Sequence, residues 1–375
     1  MTRPDSALHD ASSETLSAAQ PAASAAIPTD AVHWDDDARR LRFERWLAEI
    51  APEHGLRADT LRPASSDASF RRYLRIDGAT TSFIVMDAPP ETEDVRPFVH
   101  VAGLIAAAGL HAPAVLEQNP VQGFLLLSDL GERPYLAELQ NAVAAADSAT
   151  VQRLMRDAIA ALVRWQKLVP AAALPPFDEA LLRRELDLFP DWCVAREFGV
   201  VWTPEQRVQW QAVADLLVAS ALAQPVVAVH RDFMRRNLML ADPNPGILDF
   251  QDAVRGPISY DVASLLRDAF IGWDEEQEID WAVRYWEQAR KAGLPVPDDF
   301  GDFWRRLEWM GLQRHLKVLG IFCRLKHRDA KPRYSEDLPR FFRYVHRVAV
   351  RYNGFGPLAK LVESLLGDER KDVFF

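Results

Sequence analysis

The sequence predicts an α+β chain in which a small β-rich part precedes a larger helical part, and three observations carry that expectation. Short apolar or alternating runs, FRRYLRI, SFIVMDA and GFLLLSD, all fall before residue 130. Apolar residues recur at helical spacing over 151–169, 203–223 and much of 275–365. Between the last two lies Val226–Asp252, VVAVHRDFMRRNLMLADPNPGILDFQD, where apolar runs flank a polar loop and the final run ends in a carboxylate.

At 375 residues the chain is long enough for one to three compact units, and 49% apolar residues supply a sizeable core. The net charge of −10, from 44 Lys and Arg against 54 Asp and Glu, argues against duplex binding. Two cysteines, Cys193 and Cys323, stand outside any metal-type cluster, which fits a reducing cytoplasm and no disulfide framework. No apolar run reaches the ~18 residues of a membrane span, and the N-terminus lacks the basic-then-apolar pattern of a signal peptide. A cytoplasmic monomer with neither nucleic acid nor membrane as partner is expected.

In chain order, residues 1–33 are rich in Ala, Ser, Pro and Thr, too poor in large apolar groups to offset ordering, and predict a disordered tail. The stretch 35–50 opens with carboxylates, favourable at a helix N-terminus, and spaces Leu41, Trp46, Leu47 and Ile50 as a packing helix. Strands are expected within 61–87, with Ser65–Ser69 as a polar turn before FRRYLRI. Residues 94–108 predict a helix with Pro97 in its first turn, stopped by Gly109 and Pro113. VQGFLLLSDLG is a strand running into a turn. Residues 151–169 form an amphipathic core helix and 180–196 another, while Thr203 and Pro204 open a third.

The chemistry sits in Val226–Asp252. Phosphoryl transfer from ATP needs a carboxylate to orient and deprotonate the attacking hydroxyl, and oxygen ligands to fix Mg²⁺ on the phosphates. The spacing H-x-D-x-x-x-x-N, followed by a strand-terminal Asp, supplies these in order. Asp232 is the expected base; Asn237 and Asp249 are the expected ligands of Mg²⁺, which prefers hard oxygen donors. Turn polars between two buried strands are the plain alternative; the complete pattern, with apolar strands on both sides, favours chemistry. Asp252 is left open between a second metal contact and a loop support.

HRDFMRRNLML followed by GILDFQDAVRGPISYDVASLLRDA resembles the aminoglycoside phosphotransferase and choline kinase group. Within it, PASSDASFRRYLRI, FIVMDAPPE, GFLLLSDLGE, FPDW and LQRHLKVLGIFCRLKHRDAKPRYSEDLPRFFRYV are similar to bacterial anomeric amino-sugar kinases of cell-wall recycling. The resemblance covers about 38–365. It implies a protein kinase-like, two-lobed fold: residues 34–130 as an ATP-binding lobe with a hinge, and 131–375 as a helical catalytic and substrate lobe. It also implies ATP-dependent phosphorylation of the 1-hydroxyl of N-acetylmuramate and N-acetylglucosamine, with Mg²⁺. Ser66 then lies in a phosphate-covering turn, Ser128 and Leu130 meet adenine through main-chain groups, and Asp261 braces the catalytic loop. Kinases also place a Lys on the third strand to touch the phosphates, but FIVMDAPP has none, and Met86 stands near that place. Arg71, Arg72 and Arg75 are the candidate replacements, with Arg72 preferred; strand alternation puts Arg71 and Arg75 on one face and Arg72 on the other.

From Phe303 to Arg351 there are 13 Lys and Arg against 4 Asp and Glu, a local field that attracts anions. Arg314, Lys317, Arg324 and Arg328 are candidates to meet the lactyl carboxylate of N-acetylmuramate, with Arg314 and Arg324 preferred. A polycationic aminoglycoside wants the opposite sign. Asp191 and Trp192, in the resembling FPDW stretch, are further acceptor candidates. The rival readings are a kinase of the same fold for choline, an aminoglycoside or another sugar, and a non-catalytic nucleotide-binding scaffold, which the missing strand lysine motivates.

Overall fold

The computed structural model describes residues 32–34, 36–65 and 71–367. Residues 1–31 of the expected tail and the serine turn around Ser66 lie outside the described residues.

The chain begins with helix α1, Asp37–His54, whose first turn is capped by the Asp36 carboxylate accepting from the Ala38 N–H at 2.8 Å. Five strands follow: β1 Arg57–Ser65, β2 Arg72–Asp77, β3 Ser82–Asp87, β4 Val115–Asn119 and β5 Phe124–Ser128, with α2, Arg96–Ala107, between β3 and β4. They form one antiparallel sheet in the order β1-β2-β3-β5-β4. At Gly78, which turns β2 into β3, an added Cβ would lie 2.6 Å from the Phe83 ring.

Side-chain parity gives the sheet two working faces. Leu74, Ile76, Val85, Phe124 and Leu126 bury against Phe43, Trp46 and Leu47 of α1. Met86, Leu125 and Leu127 point the other way, into a core shared with Val95, Phe98 and Ile105. Asp87, fully buried, joins α1 to the sheet: it accepts from Arg39 Nε at 3.0 Å and from Arg72 Nε at 3.0 Å.

The rest is mainly helical: α3 Tyr135–Ala144, α4 Ser148–Leu168, α5 Glu179–Leu188, α6 Pro204–Leu222, α7 Tyr260–Leu266, α8 Glu275–Lys291, α9 Phe300–His327, α10 Leu338–Arg351 and α11 Gly356–Leu366. Short strands β6 Val226–Val229 and β9 Val254–Pro257 pair antiparallel, as do β7 Leu238–Met239 and β8 Gly246–Ile247. Helix α9 is the axis of this part, packing against α5, α6, α7 and α10. The third predicted helix is present with Thr203 and Gln206 closing a capping box. The helix expected over 180–196 changes character: α5 gives way to a π-helical turn, Phe189–Glu197. Pro190 has no N–H for Leu186, so the regular ladder cannot pass this point. The turn lies on α9, where an added Cβ at Gly320 would sit 2.3 Å from the Leu188 carbonyl.

Candidate active site

The apolar strand β6 buries Val227–Val229 and delivers His230 at its end, itself 1% exposed. Burial pushes the His230 imidazole down to about 4, so it stays neutral as a loop support. The loop is held from below by Asp261, at the start of α7, whose carboxylate accepts the His230 N–H at 2.7 Å and the Arg231 N–H at 3.0 Å. Burial pushes Asp261 up to about 7, against the two amides, which favour its ionised form. Asp261 therefore occupies the bracing position that the sequence resemblance implied.

Arg231 takes a left-handed backbone conformation, φ 74, and Asp249 another, φ 62. Such conformations cost non-glycine residues about 1–2 kcal/mol each, and they cluster where a site needs a particular side-chain direction. Here they flank one small volume. The Asn237 amide nitrogen donates to the Asp232 carbonyl at 2.9 Å and to Asp249 Oδ2 at 3.2 Å. Gln251 Nε2 donates to Asp249 Oδ1 at 2.9 Å. The Asn237 amide nitrogen thus spans residues 232 and 249. Asp252, left open by the sequence, is exposed.

A cavity of about 410 Å³ opens beside this loop. Its walls include Ile84, Leu127 and Leu248, its rim Ser128 and Leu130, and its floor Arg236, Asn237 and Asp249. The expected hinge residues and the expected metal ligands thus share one cleft. No main-chain hydrogen bond of the described residues uses the Leu130 N–H, whereas the Ser128 N–H goes to Ala114 O at 2.9 Å.

The preference for Arg72 as the phosphate cation is corrected. Its guanidinium lies on the α1 face, paired with Asp87 and 4.1 Å from the centroid of the Trp34 ring. Tyr73 and Arg75, on the opposite face of β2, line the cavity instead. Arg71 shares their face and stands 3.4 Å from Glu93.

Asp232 faces the other way, toward α9, with a side chain 34% exposed. Arg314 Nη2 stands 3.6 Å from Asp232 Oδ1. Lys317 Nζ lies 2.9 Å from Glu185 Oε1, and Arg231 Nη2 lies 2.6 Å from the same oxygen. Burial raises the Asp232 carboxyl, but Lys317, Arg314 and Arg231 outweigh it and hold the group below the ordinary carboxylate range. Glu185, buried beneath this cluster, had no signal in its own stretch of sequence; only its packing against the catalytic loop reveals it. Arg324 is half-buried ten residues further along α9, about 15 Å by helical rise. Asp191 is exposed on the π-helical turn, and Trp192 packs half-buried against the core. Neither is hydrogen-bonded to Asp232 among the described residues.

Residues 60–300 match the model of the phosphotransferase enzyme family. A Pseudomonas aeruginosa protein named N-acetylmuramate/N-acetylglucosamine kinase is 51% identical over 337 residues, 88% of this chain and 98% of its own. A protein of the same name from Neisseria meningitidis is 47% identical, covering 90% of this chain and 99% of its own. Among solved structures, a choline kinase from Streptococcus pneumoniae superposes with a TM-score of 0.59 at 10% identity, over 83% of this chain and 99% of that one. An ADP-bound aminoglycoside phosphotransferase, APH(2'')-Ib, gives 0.51 at 14% identity, over 82% and 96%. These two share the fold, a small antiparallel sheet joined to a larger helical part, as the sequence predicted. The chain belongs to the phosphotransferase enzyme family and, within it, groups with the N-acetylmuramate/N-acetylglucosamine kinases.

Proposed function

We propose that the protein transfers the terminal phosphoryl group of ATP to the anomeric hydroxyl of N-acetylmuramate or N-acetylglucosamine. The observation that supports this best is that Asn237 ties the Asp232 main-chain carbonyl to the Asp249 carboxylate, with Asn237 and Asp249 on an apolar cavity and the Asp232 carboxylate on a cationic face. In this reading residues 34–130 form the nucleotide lobe and 131–375 the catalytic and acceptor lobe, at work in the cytoplasm. Adenine lies between Ile84, Leu127 and Leu248, with the Ser128 carbonyl and the Leu130 N–H at its polar edge. Asn237 Oδ1 and the Asp249 carboxylate hold Mg²⁺, which offsets the charge that builds on the phosphates.

Asp232 orients the sugar O1 hydroxyl and takes its proton as the bond to phosphorus forms. An anomeric hydroxyl is more acidic than an ordinary alcohol, so a carboxylate held ionised by Arg314 and Lys317 remains adequate as its base. The same cations favour an acceptor bearing a carboxylate, as N-acetylmuramate does. Arg324 on α9, with Asp191 and Trp192 on the π-helical turn that packs against it, are the outer acceptor contacts in this reading.

An ADP-release assay against N-acetylmuramate, N-acetylglucosamine, choline and kanamycin tests it. The two amino sugars should turn over; turnover confined to choline or kanamycin, or none alongside ATP binding, would overturn it. D232N should keep ATP binding and lose turnover by about 10²–10⁴-fold, the usual worth of a general base.

A further inference from the structure

Helix α9 carries two cations one turn apart on the face that meets the catalytic loop. Arg314 Nη2 stands 3.6 Å from Asp232 Oδ1, and Arg314 Nη1 donates to the Arg231 carbonyl at 3.4 Å. Lys317, three residues on, is its neighbour on that face. Both lie over the Tyr260 ring, the Arg314 guanidinium carbon 5.6 Å and the Lys317 ammonium 5.8 Å from its centroid. A compact ammonium on a flexible four-carbon stem, placed there, is free to seek the nearest carboxylates. Asp232 is one of them, and its side chain is 34% exposed on this side.

The ammonium goes to Glu185 instead. Lys317 Nζ is 2.9 Å from Glu185 Oε1 and donates to the Tyr260 hydroxyl at 3.1 Å. Glu185 is buried on α5 and is itself anchored by Arg231, whose Nη2 reaches the same oxygen at 2.6 Å. Its second oxygen, Oε2, is buried without a hydrogen-bond partner. Such buried charges add little to stability, because desolvation offsets most of their attraction. Their effect on the base is larger. An ammonium at hydrogen-bond distance would fill a lone pair that Asp232 needs for the acceptor hydroxyl, and would weaken it as a base.

We propose that Glu185 is a positioning residue for phosphoryl transfer: anchored by Arg231, it holds the Lys317 ammonium away from Asp232 and so leaves that carboxylate open to the acceptor hydroxyl. Arg314 remains beside the base at its longer distance and keeps it ionised. The proposal rests on Asp232 acting as the base, but not on which sugar accepts.

The test is a double-mutant cycle on kcat, run well below the melting midpoint of every variant. E185Q still accepts from Arg231 but gives up the charge that holds the ammonium. In the wild-type background it should lower kcat about tenfold or more, part of the ~10²–10⁴-fold that a general base is worth, with the KM for ATP within about threefold. In the K317M background no ammonium is left to hold back, and the same change should lower kcat by less than about threefold. A smaller loss than tenfold in the wild-type background overturns the proposal. So does a loss of threefold or more in the K317M background, the pattern of a merely structural carboxylate. Should E185Q alone not fold, the K317M comparison decides by the same limit. The cycle runs on whichever acceptor the wild-type protein phosphorylates, so a wrong sugar assignment leaves it standing. Failure of the base assignment shows separately, as a D232N variant that keeps its turnover.

Discussion

As the proposed base, Asp232 serves only while ionised, and its ionisation is set by neighbours on α9 and in its own loop. Arg314 is the one that approaches its carboxylate from α9 without a carboxylate of its own in the contact. R314M removes a cation that favours the charged form, so the Asp232 carboxyl must titrate higher. The acid limb of the kcat/KM profile should move to higher pH, and the KM should rise more for N-acetylmuramate than for N-acetylglucosamine. An unmoved acid limb would separate Arg314 from the base. At this scale the sequence was informative wherever the chemistry lies within one short stretch: the spacing of His230, Asp232, Asn237 and Asp249 needs no long-range information. It was uninformative for Arg72, because alternation names two faces of a strand without saying which one looks into the cleft. That depends on α1, a separate element earlier in the chain, packing on the Leu74 and Ile76 side. Glu185 was missed because it is remote in sequence from the Arg231 it meets.

The elements around the acceptor side are held by close backbone approach and by buried charge. Gly320 lets α9 lie against the end of α5, and no side chain fits between the helix and the Leu188 carbonyl. G320A should destabilise the protein by about 1–3 kcal/mol or more, as overpacking does, and should weaken the KM for sugar more than that for ATP, because the displaced helix carries Arg314. Chemical denaturation and steady-state kinetics read the two effects. The trio of Glu185, Lys317 and Arg231 sets the acid tolerance of the same region. Burial raises the Glu185 carboxyl, but the two cations hold it below its usual value. Its contribution is therefore present above the unfolded pKa of about 4.5 and is lost as pH falls through the lower folded value. Among helices, the sequence signalled caps and apolar periodicity well. It did not signal the π-helical turn, whose cause is a single proline acting together with the packing against α9.

Over the whole molecule, an acidic chain still gathers three cations beside Asp232. Net charge of −10 coexists with Arg231, Arg314 and Lys317 gathered around two carboxylates, Asp232 and Glu185. The order of strands then helices was legible because periodicity is local; the pairing order, with β5 inserted between β3 and β4, was not, because it depends on where α2 lies.

The cationic wall beside Asp232 has a medical corollary. A drug carrying several ammonium groups gains nothing by approaching it, however closely the fold matches enzymes that inactivate such drugs. Bacteria overproducing this protein should keep the same minimum inhibitory concentration for gentamicin as the parent strain, and a fourfold rise would show that the wall repels less than its charges suggest.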